Sequence, residues 1–459
     1  MPDANRVIVI GGGISGLTCA RALKRAGVEV TLLESSAQAG GLIGSVEKDG
    51  FLFERGPQSF QGTVVLSGLI RELGIESELL EADPAAPRYV FRDGRLQKIP
   101  MSPPALIGSS LLGIGSRWKI VSEPFRHTTP PGHEESVAEF VRRKFGHEIL
   151  EYLVSPFVSG VYAGDPERLS LRAAFPTLEE WERQFGSVLR GAMKSRPASG
   201  EKKKAPSLCS FRRGLSTLTD ALARDLGPSP RTGARVAELI ARDGGARAFD
   251  VQIVENEKSE TIRAAAVVLA TPAYVAAQLV QPFTSQLARL LSGIPYAPVA
   301  TTAAGYYAKQ FADPPDGFGF LVPRKEKMRT LGTVWNSSLF PGRAPQDRVL
   351  MTSFLGGATD PGLVEKTEDE IAEIANSENR RILQITGAPV VSATWKHPKA
   401  LPQYNLGHGH IVEAIRETQA EISGVFFAGN YLAGPAIGKC VEQALRTAES
   451  VCALLRPRA

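Results

Sequence analysis

The apolar pattern near the start of the chain predicts one βαβ unit. Residues 7–10 form a continuous apolar run, which is typical of a strand buried on both faces. Apolar residues between positions 17 and 23 then recur at helical spacing, Gly27 ends that helix, and residues 28–33 form a second strand-like run. The order of strand, turn, helix and strand is that of a βαβ unit with a short crossover.

The middle of the chain has a different pattern. Residues 100–104 predict a turn, and apolar positions between Val137 and Leu153 recur at helical spacing, so a helical subdomain is the simplest interpretation. Residues 194–207 combine Pro, Gly, Ser and a lysine run, which is typical of a loop or linker. Further strands are predicted at 251–254, 267–270, 299–306, 318–322, 331–335, 349–354, 390–395 and 425–428, and helices at 368–383 and 438–455.

The fold class that these elements predict is α/β, or α+β over the whole chain. A Rossmann-type nucleotide-binding domain is built from both chain ends, beside a strand-rich substrate domain and a helical subdomain. The expected boundaries are 1–85, 206–275 and 412–459 for the nucleotide-binding domain, 86–205 for the helical subdomain and 276–411 for the substrate-binding domain.

Composition places the chain among ordinary globular enzymes. Its 459 residues exceed one simple core, and the content of 43% hydrophobic and 22% charged residues excludes disorder as the main state. The net charge of +5 is a mild bias that suits an anionic small molecule or an acidic membrane surface. It falls short of a nucleic-acid footprint, so no nucleic-acid partner is expected.

Cysteines and histidines give no sign of a metal site. The four cysteines are scattered without a CxxC pair, which favours a reducing compartment. His408 and His410 lack a third ligand nearby, so a packing role for His408 is preferred. The run at 7–10 is too short for a signal peptide, and residues 264–280 are interpreted as a strand and a helix start rather than a membrane span. A cytoplasmic protein is expected, and a peripheral position at the inner face of the membrane stays open as an alternative.

Gly11, Gly13 and Gly16 have the spacing of a dinucleotide-binding turn. In that motif the first glycine permits the tight turn, the second lets the backbone approach a pyrophosphate, and the third lets helix and strand pack closely. The pyrophosphate sits at the helix N-terminus, where free N–H groups favour anions. Glu34, just after the second predicted strand, stands close to the position that bonds a ribose hydroxyl. A glycine turn without a ligand is the weaker alternative in this context.

The residues after Glu34 decide between FAD and NAD. A second glycine pair, Gly40-Gly41, resembles the pattern of two-dinucleotide-binding-domain flavoproteins of the amine-oxidase group. Near the other chain end a predicted strand enters Gly429-Asn430, and residues 434–438 precede a helix whose N-terminal amides are expected to face a flavin ring. The resemblance therefore implies FAD as the cofactor.

A narrower resemblance extends over nearly the whole chain. The sequence resembles the oxygen-dependent protoporphyrinogen/coproporphyrinogen oxidase family of haem biosynthesis. Residues 54–59 and 87–90 match that family, although relatives also carry asparagine or arginine at Gln58. The strings most specific to the family are Gly-Val-Tyr-Ala-Gly-Asp at 160–165, Gly-Phe-Gly-Phe-Leu-Val-Pro at 317–323 and Pro-Gln-Tyr-Asn-Leu-Gly-His at 402–408.

The resemblance implies FAD contacts near both chain ends and after the second glycine pair. No catalytic side chain is assigned, because in flavin oxidations the cofactor supplies the difficult chemistry and the protein supplies placement and electrostatics. The residues at the implied FAD positions are Gly11, Gly12, Gly13, Ile14, Ser15, Gly16, Glu34, Ser35, Gly41, Leu42, Gly56, Pro57, Gln58, Ser59, Val236, Asn430, Pro435, Ala436 and Ile437.

The resemblance also implies a substrate site. Arg88 falls where the family places a substrate-binding arginine, and a planar guanidinium suits a propionate. Without the resemblance, a surface arginine and ordinary core residues would be the simpler interpretation. The other residues expected at the substrate are Gly160, Gly164, Phe318, Gly319, Leu321 and Phe354, of which the larger side chains would form apolar walls.

The implied reaction removes six electrons from a porphyrinogen in three two-electron steps, each passing a hydride to the flavin N5, with O2 reoxidising the flavin to give hydrogen peroxide. Protoporphyrinogen IX and coproporphyrinogen III both stay open as substrates, because one arginine fits either. The apolar segment 105–118 is either a membrane-surface patch or core of the helical subdomain. The alternatives are a carotenoid desaturase or amine oxidase of the same superfamily and a flavin-binding protein without catalysis. The sequence predicts no oligomeric state.

Overall fold

Two large β-sheets organise the protein. The computed structural model describes residues 6–126, 128, 132–195, 207–242 and 248–456. Most of the predicted linker at 194–207 lies outside the described residues. One large sheet has five strands and the other has seven.

The five-stranded sheet is parallel throughout, which confirms the predicted Rossmann-type core. Alternate residues of its first strand pack into two separate apolar cores, Val7 and Val9 into one and Ile8 and Ile10 into the other. Burial on both faces explains why that run is continuously apolar. The strands, in spatial order, are Pro230–Thr232, Val30–Glu34, Val7–Ile10, Ala266–Leu269 and Val425–Phe427.

The seven-stranded sheet contains the strand-rich part of the chain. Its spatial order is Val391–Pro402, Tyr296–Tyr307, Arg348–Gly356, Thr330–Val334, Gly319–Leu321, Arg88–Arg92 and Arg95–Lys98. Neighbouring strands are antiparallel except for Gly319–Leu321 and Arg88–Arg92, which run parallel to each other. Residues 88–98 lie in the segment predicted to be helical, so this part of the prediction is wrong. Strand Arg88–Arg92 is stabilised by pairing with Gly319–Leu321, far along the chain, which local sequence does not reveal.

Smaller antiparallel sheets lie beside the two large ones. Ala234–Ala241 pairs with Phe249–Glu255, which pairs with Lys258–Ala264. Ser45–Lys48 pairs with Phe51–Glu54. The strand Leu208–Phe211 lies between Phe60–Gln61 and Leu79–Glu81.

The helices cover the sheets and fill the region between residues 103 and 194. The helix predicted at 368–383 is confirmed as Glu368–Leu383, and the last helix as Ile437–Leu455. The other α-helices are Ile14–Arg25, Val64–Glu72, Pro103–Gly108, Ile114–Val121, Val137–Lys144, His147–Ile149, Ser155–Tyr162, Leu171–Ala174, Pro176–Phe185, Val188–Lys194, Ser216–Leu226, Ala273–Val280, Ser285–Ser292, Asn336–Leu339, His408–Glu421 and Asn430–Ala433.

Helix Ile114–Val121 presents apolar side chains to solvent. Ile114, Trp118 and Val121 are spaced four and three residues apart and therefore share one exposed face of the helix. Phe125, just beyond the helix, is 85% exposed. Leu111 and Leu112, immediately before the helix, are buried. The segment 105–118 thus contains both core residues and an exposed surface. That surface, here called the apolar patch, consists of Ile114, Trp118, Val121 and Phe125. Within the described ranges no helix is long and apolar enough to cross a membrane.

Candidate functional site

The turn after the first strand leaves space beside Gly13. Gly11 has a φ of +108°, and a Cβ there would lie 2.5 Å from the carbonyl oxygen of Ala270. A Cβ at Gly16 would lie 1.8 Å from the Gly11 oxygen, so helix Ile14–Arg25 packs directly on the turn. At Gly13, in contrast, a Cβ would meet no atom within 4 Å. Gly13 therefore lines the open side of the turn, where the motif requires room for a phosphate.

Helix Ile14–Arg25 begins at this open space. Gly13 is its N-cap, no side chain bonds its first N–H groups, and its first turn contains no acidic residue. Unpaired N–H groups and the positive end of the helix dipole favour an anion at this point. These residues fit the pyrophosphate of a dinucleotide.

Glu34 ends the neighbouring strand beside the same turn. Its buried carboxylate accepts hydrogen bonds from the backbone N–H of Gly12 at 2.6 Å and of Ser36 at 2.7 Å. These bonds fix the carboxylate and leave lone pairs for a ribose hydroxyl. The Gly233 N–H donates to the Ser36 carbonyl at 2.8 Å, which places the strand that carries Val236 next to this end of the site.

The second glycine pair lies against the first turn. Gly40 forms a backbone bridge with Gly13, and a Cβ at Gly41 would lie 3.2 Å from the Gly13 Cα. A Cβ at Gly56 would lie 2.2 Å from the Leu42 carbonyl oxygen, so these two backbones also touch. Segments distant in sequence therefore converge on the open side of the glycine turn.

Gln58 uses its side chain inside the protein. Its Nε2 donates to the Gly56 carbonyl at 2.9 Å, and its Oε1 accepts from Asn336 Nδ2 at 2.7 Å. Asn336 Oδ1 in turn accepts from Thr352 Oγ1 at 2.9 Å, on the seven-stranded sheet. The Gln58 side chain thus anchors residues 55–59 to that sheet, and only its backbone is left to face a ligand.

The last part of the chain supplies a second helix N-terminus. The short helix Asn430–Ala433 follows strand Val425–Phe427, and Ala436 is the N-cap of helix Ile437–Leu455 without a side-chain cap. This helix packs into the same core as Ile14–Arg25. Both helices follow strands of one parallel sheet, so their N-termini lie at the same edge.

Predicted substrate residues share one face of the seven-stranded sheet. Leu321 pairs with Gly332, and Gly332 pairs with Phe354. Arg88 pairs with Gly319, two residues before Leu321. Paired residues and alternate residues along a strand point to the same side of a sheet. Arg88, Gly319, Leu321 and Phe354 are therefore brought together, and we call this side the substrate face.

The substrate face is joined directly to residues 55–59. Thr301 pairs with Phe354, and its Oγ1 donates to the Arg55 carbonyl at 3.0 Å. His397 Nε2 lies 2.8 Å from the same oxygen. The segment predicted to contact the flavin is therefore in contact with the sheet predicted to hold the substrate.

Arg88 lies at the end of the substrate face. Its guanidinium carbon is 5.2 Å from the centre of the Phe318 ring, and its Nη1 is 3.8 Å from the Met101 sulfur. Among the described residues no carboxylate forms an ion pair with Arg88. The cation is thus held against an aromatic ring and is free to bind an added carboxylate.

Helix Ser155–Tyr162 packs on the substrate face through a glycine. A Cβ at Gly160 would lie 2.8 Å from Leu321 Cδ2, so any larger residue there would push the Leu321 side chain aside. A Cβ at Gly164, just after the helix, would lie 2.7 Å from Gln403 Oε1. Both predicted glycines therefore lie where backbone passes close to side chains of the site.

Two features were not foreseen from the sequence. Tyr404, inside a family string, bonds the backbone beside Asn430 through its hydroxyl. Glu54 and Arg343 form a buried ion pair next to residues 55–59. Burial raises the pKa of the Glu54 carboxyl to about 7, against the opposing effects of Arg343 and of a hydrogen bond from Ser45. Nothing in the local sequence around Arg343 indicates burial, whereas the string around Tyr404 was a usable signal.

His408 has the packing role that was expected. It is buried, and its Nε2 lies 2.8 Å from the Tyr431 carbonyl oxygen. Burial lowers the pKa of His408 below its ordinary value of 6.5. Across the described ranges no group of His, Cys, Asp and Glu side chains could hold a metal ion.

Comparison with known proteins gives one matching family, several relatives of similar sequence and a crystal structure of similar fold. The model of the family described as flavin containing amine oxidoreductase matches residues 14–452. The chain is 36% identical to the chloroplastic protoporphyrinogen oxidase of Oryza sativa subsp. japonica, over 97% of this chain and 87% of that protein. It is 28% identical to the coproporphyrinogen III oxidase of Bacillus subtilis, over 96% and 97% of the two chains. The crystal structure of an Exiguobacterium protein, provisionally named a protoporphyrinogen oxidase, has a TM-score of 0.83 at 23% identity over 98% of each chain, which shows a shared fold.

Proposed function

The chain belongs to the flavin-containing amine oxidoreductases and, within them, to the protoporphyrinogen/coproporphyrinogen oxidase family, and we propose on this basis that it uses FAD to oxidise a porphyrinogen to a porphyrin in haem biosynthesis. The observation that carries this proposal is the junction between residues 55–59 and the substrate face. The Arg55 carbonyl is bonded by Thr301 from that face, which supports a substrate on the sheet lying beside a flavin held by the loop.

The residues that would hold FAD come from the three parts of the chain that were predicted to build the nucleotide-binding domain, 1–85, 206–275 and 412–459. The turn at 11–16 with its helix N-terminus takes the pyrophosphate, and Glu34 takes a ribose hydroxyl, beside the strand that carries Val236. Residues 56–59 and 435–437 hold the flavin end. Bound FAD supplies the redox chemistry by accepting the electrons that leave the substrate.

The substrate face supplies position rather than acid–base groups. Leu321 and Phe354 form apolar walls that exclude water from the macrocycle, whereas Phe318 packs beside the face, against Leu339 and Phe340, and holds Arg88. Arg88, held against Phe318, binds a propionate at the edge of the ring system. Gly160 lets helix Ser155–Tyr162 close over this face.

We favour protoporphyrinogen IX, with two propionates, over coproporphyrinogen III, with four. Arg324 lies near Gly164, but it already bonds the Gly164 carbonyl at 2.9 Å and Asp165 at 3.3 Å. Arg92, four residues after Arg88, pairs with Glu148 at 3.1 Å. Additional propionates would have to compete with these ion pairs. The higher identity to the plant protoporphyrinogen oxidase, 36% against 28%, supports the same choice.

The proposal includes O2 as the final electron acceptor and a peripheral contact with an anionic membrane. The apolar patch supports the membrane contact, because two large aromatic side chains, Trp118 and Phe125, are mostly exposed there. Arg190 lies over the Phe125 ring at 5.8 Å, which adds a cation beside the patch for lipid phosphates. A hydrophobic porphyrinogen in the membrane would reach the protein at such a surface.

The decisive experiment measures porphyrin fluorescence from both porphyrinogens in air. The purified FAD-containing protein should raise fluorescence above the spontaneous rate and release hydrogen peroxide in step with it, with a higher kcat/KM on protoporphyrinogen IX. A preparation stripped of FAD serves as the matched blank. If neither porphyrinogen is oxidised faster than in that blank, the proposed activity is wrong. A higher kcat/KM on coproporphyrinogen III would overturn only the substrate preference.

A further inference from the structure

We infer that Tyr404 is a positioning residue for the flavin, because its hydroxyl fixes the backbone of residues 430–434, which lead into the turn at 435–437. The inference rests on the flavin contact proposed for that turn. It adds a residue that is not itself among the proposed FAD contacts or substrate residues, and that acts through its bond to the backbone of Asn430. It also gives the string at 402–408 a function.

The Tyr404 hydroxyl spans the two ends of the short helix Asn430–Ala433. It donates to the Asn430 carbonyl and accepts from the Gly434 N–H at 2.9 Å. The side chain is only 1% exposed, so water cannot replace it in either bond. Removing the hydroxyl would leave a buried donor and a buried acceptor without partners, which costs more than the net value of the bonds themselves.

The short helix needs this external support because glycines flank it. Gly429 has a φ of +155° and Gly434 a φ of +125°, conformations that other residues rarely adopt. Two such points let the segment pivot relative to the strand before it and the helix after it. Tyr404 bonds the helix at both ends, and His408 bonds it in the middle through the Tyr431 carbonyl at 2.8 Å.

Residues 403–406 also contact the substrate side of the protein. Gln403 Nε2 donates to the Tyr162 carbonyl at 2.9 Å, at the end of the helix that packs on the substrate face. The Tyr404 carbonyl accepts from the Ser170 N–H at 2.8 Å, and the Leu406 N–H donates to the Arg168 carbonyl at 2.9 Å. One short segment thus contacts both the proposed flavin turn and the helix that packs on the substrate face.

The test compares Tyr404→Phe with Tyr431→Phe. Both tyrosines are buried, but the Tyr431 hydroxyl has no hydrogen-bond partner among the described residues, so Tyr431→Phe is a matched control for loss of a phenol. The readouts are the Kd of FAD, from titration of the apoprotein, and the visible spectrum of bound FAD. Tyr404→Phe should raise the Kd about tenfold and shift the flavin bands. The control should leave both unchanged.

Equal Kd values and spectra for Tyr404→Phe and the wild type would overturn the inference, as would equal changes in both variants. If Tyr404→Phe folds poorly, His408→Gln removes a neighbouring support of the same short helix and should raise the FAD Kd severalfold, and an unchanged Kd would count against the inference.

A third variant, Ala436→Arg, separates this inference from the site it rests on. FAD retained in Ala436→Arg would refute the proposed flavin contact. FAD lost in Ala436→Arg, with Tyr404→Phe matching its control, would refute only the role of Tyr404.

Discussion

The carboxylate of Glu54 lies 3.3 Å from the guanidinium of Arg343, and each side chain is 1% exposed. Arg343 also donates to Ser210 Oγ at 2.5 Å and to the Phe211 carbonyl at 3.2 Å. Glu54 immediately precedes residues 55–59, whereas Arg343 comes from a loop of the strand-rich region. The pair therefore joins the strand before the predicted flavin segment to the loop before strand Arg348–Gly356, through charges that are buried from water.

Arg343→Met should destabilise the protein by about 3–5 kcal/mol, because it leaves the Glu54 carboxylate buried without its counter-charge. Adding Glu54→Gln should recover part of that loss, since the second change removes the unpaired charge. The free energy of unfolding from denaturant titration measures both effects. This account would be contradicted if Arg343→Met were as stable as the wild type, or if the double variant were no more stable than Arg343→Met alone.

Gly13→Leu should abolish FAD retention while leaving the fold intact. A Cβ at this position meets no protein atom within 4 Å, and the rest of a leucine side chain would extend into the space expected for the pyrophosphate. The FAD content of the purified variant, beside its circular dichroism, tests this. Gly68→Leu, also in open space but on helix Val64–Glu72, should keep its FAD. A Gly13→Leu protein that still carries FAD would show that the pyrophosphate binds elsewhere.

Arg88→Ala should raise KM for the porphyrinogen by one to two orders of magnitude, corresponding to ~1.5–3 kcal/mol for a charge-assisted bond. Its kcat should change less, because in the proposed site Arg88 would bind the edge of the substrate rather than its reacting carbons. Steady-state kinetics separate the two effects. Arg95→Ala, an exposed arginine on the next strand, is the control. An unchanged KM for Arg88→Ala would remove this residue from the site.

Replacing both Trp118 and Phe125 with serine should weaken binding to anionic vesicles more than tenfold, since burying each aromatic is worth roughly 1.5–3 kcal/mol. Co-sedimentation with phosphatidylglycerol vesicles measures the binding. Val64→Ser removes an apolar side chain that is 91% exposed on another helix, so it should leave binding unchanged. Wild-type protein that stays in the supernatant would refute the membrane contact.

His408 should make stability fall in acid. Burial lowers its pKa below 6.5, so under pH 6.5 the unfolded chain takes up a proton that the folded protein does not. The stability that neutral, buried His408 contributes is therefore fully present above pH 6.5 and is lost as pH falls toward the folded pKa. The nearby Glu134 carboxylate acts in the opposite direction and limits how far burial lowers the pKa. The free energy of unfolding of His408→Gln should depend less on pH between 6.5 and 5. His410→Gln, which changes an exposed histidine, should follow the wild type. If the free energy of unfolding of His408→Gln fell with pH as steeply as that of the wild type, this assignment would be wrong.

The sequence predicted the elements that local periodicity determines. Helix Glu368–Leu383 repeats apolar residues at helical spacing, and the strand at 7–10 is apolar because both of its faces are buried. Strand Arg88–Arg92 was missed because it is stabilised by pairing with Gly319–Leu321, far along the chain. Local pattern does not contain that partner.

The glycine turn and Glu34 were predictable because their pattern is also local: a phosphate-binding turn requires small residues at fixed spacing along the chain. Arg343 was not predictable. It lies in a Pro-Gly-Arg-Ala-Pro loop without periodicity, where an exposed arginine is the usual expectation. It is buried only because the tertiary fold brings Glu54 to it.

The order of strands in the parallel sheet has a consequence for biosynthesis. Val7–Ile10 leaves the ribosome long before its neighbour Ala266–Leu269, and Val425–Phe427 emerges later still. The apolar surface of the nascent N-terminal segment is therefore uncovered through most of translation, and we expect chaperones to bind it. With the proposed flavin contact at 435–437, cofactor insertion would be completed only after the last helix has been synthesised, and the yellow colour of the protein would then report the end of folding rather than its beginning.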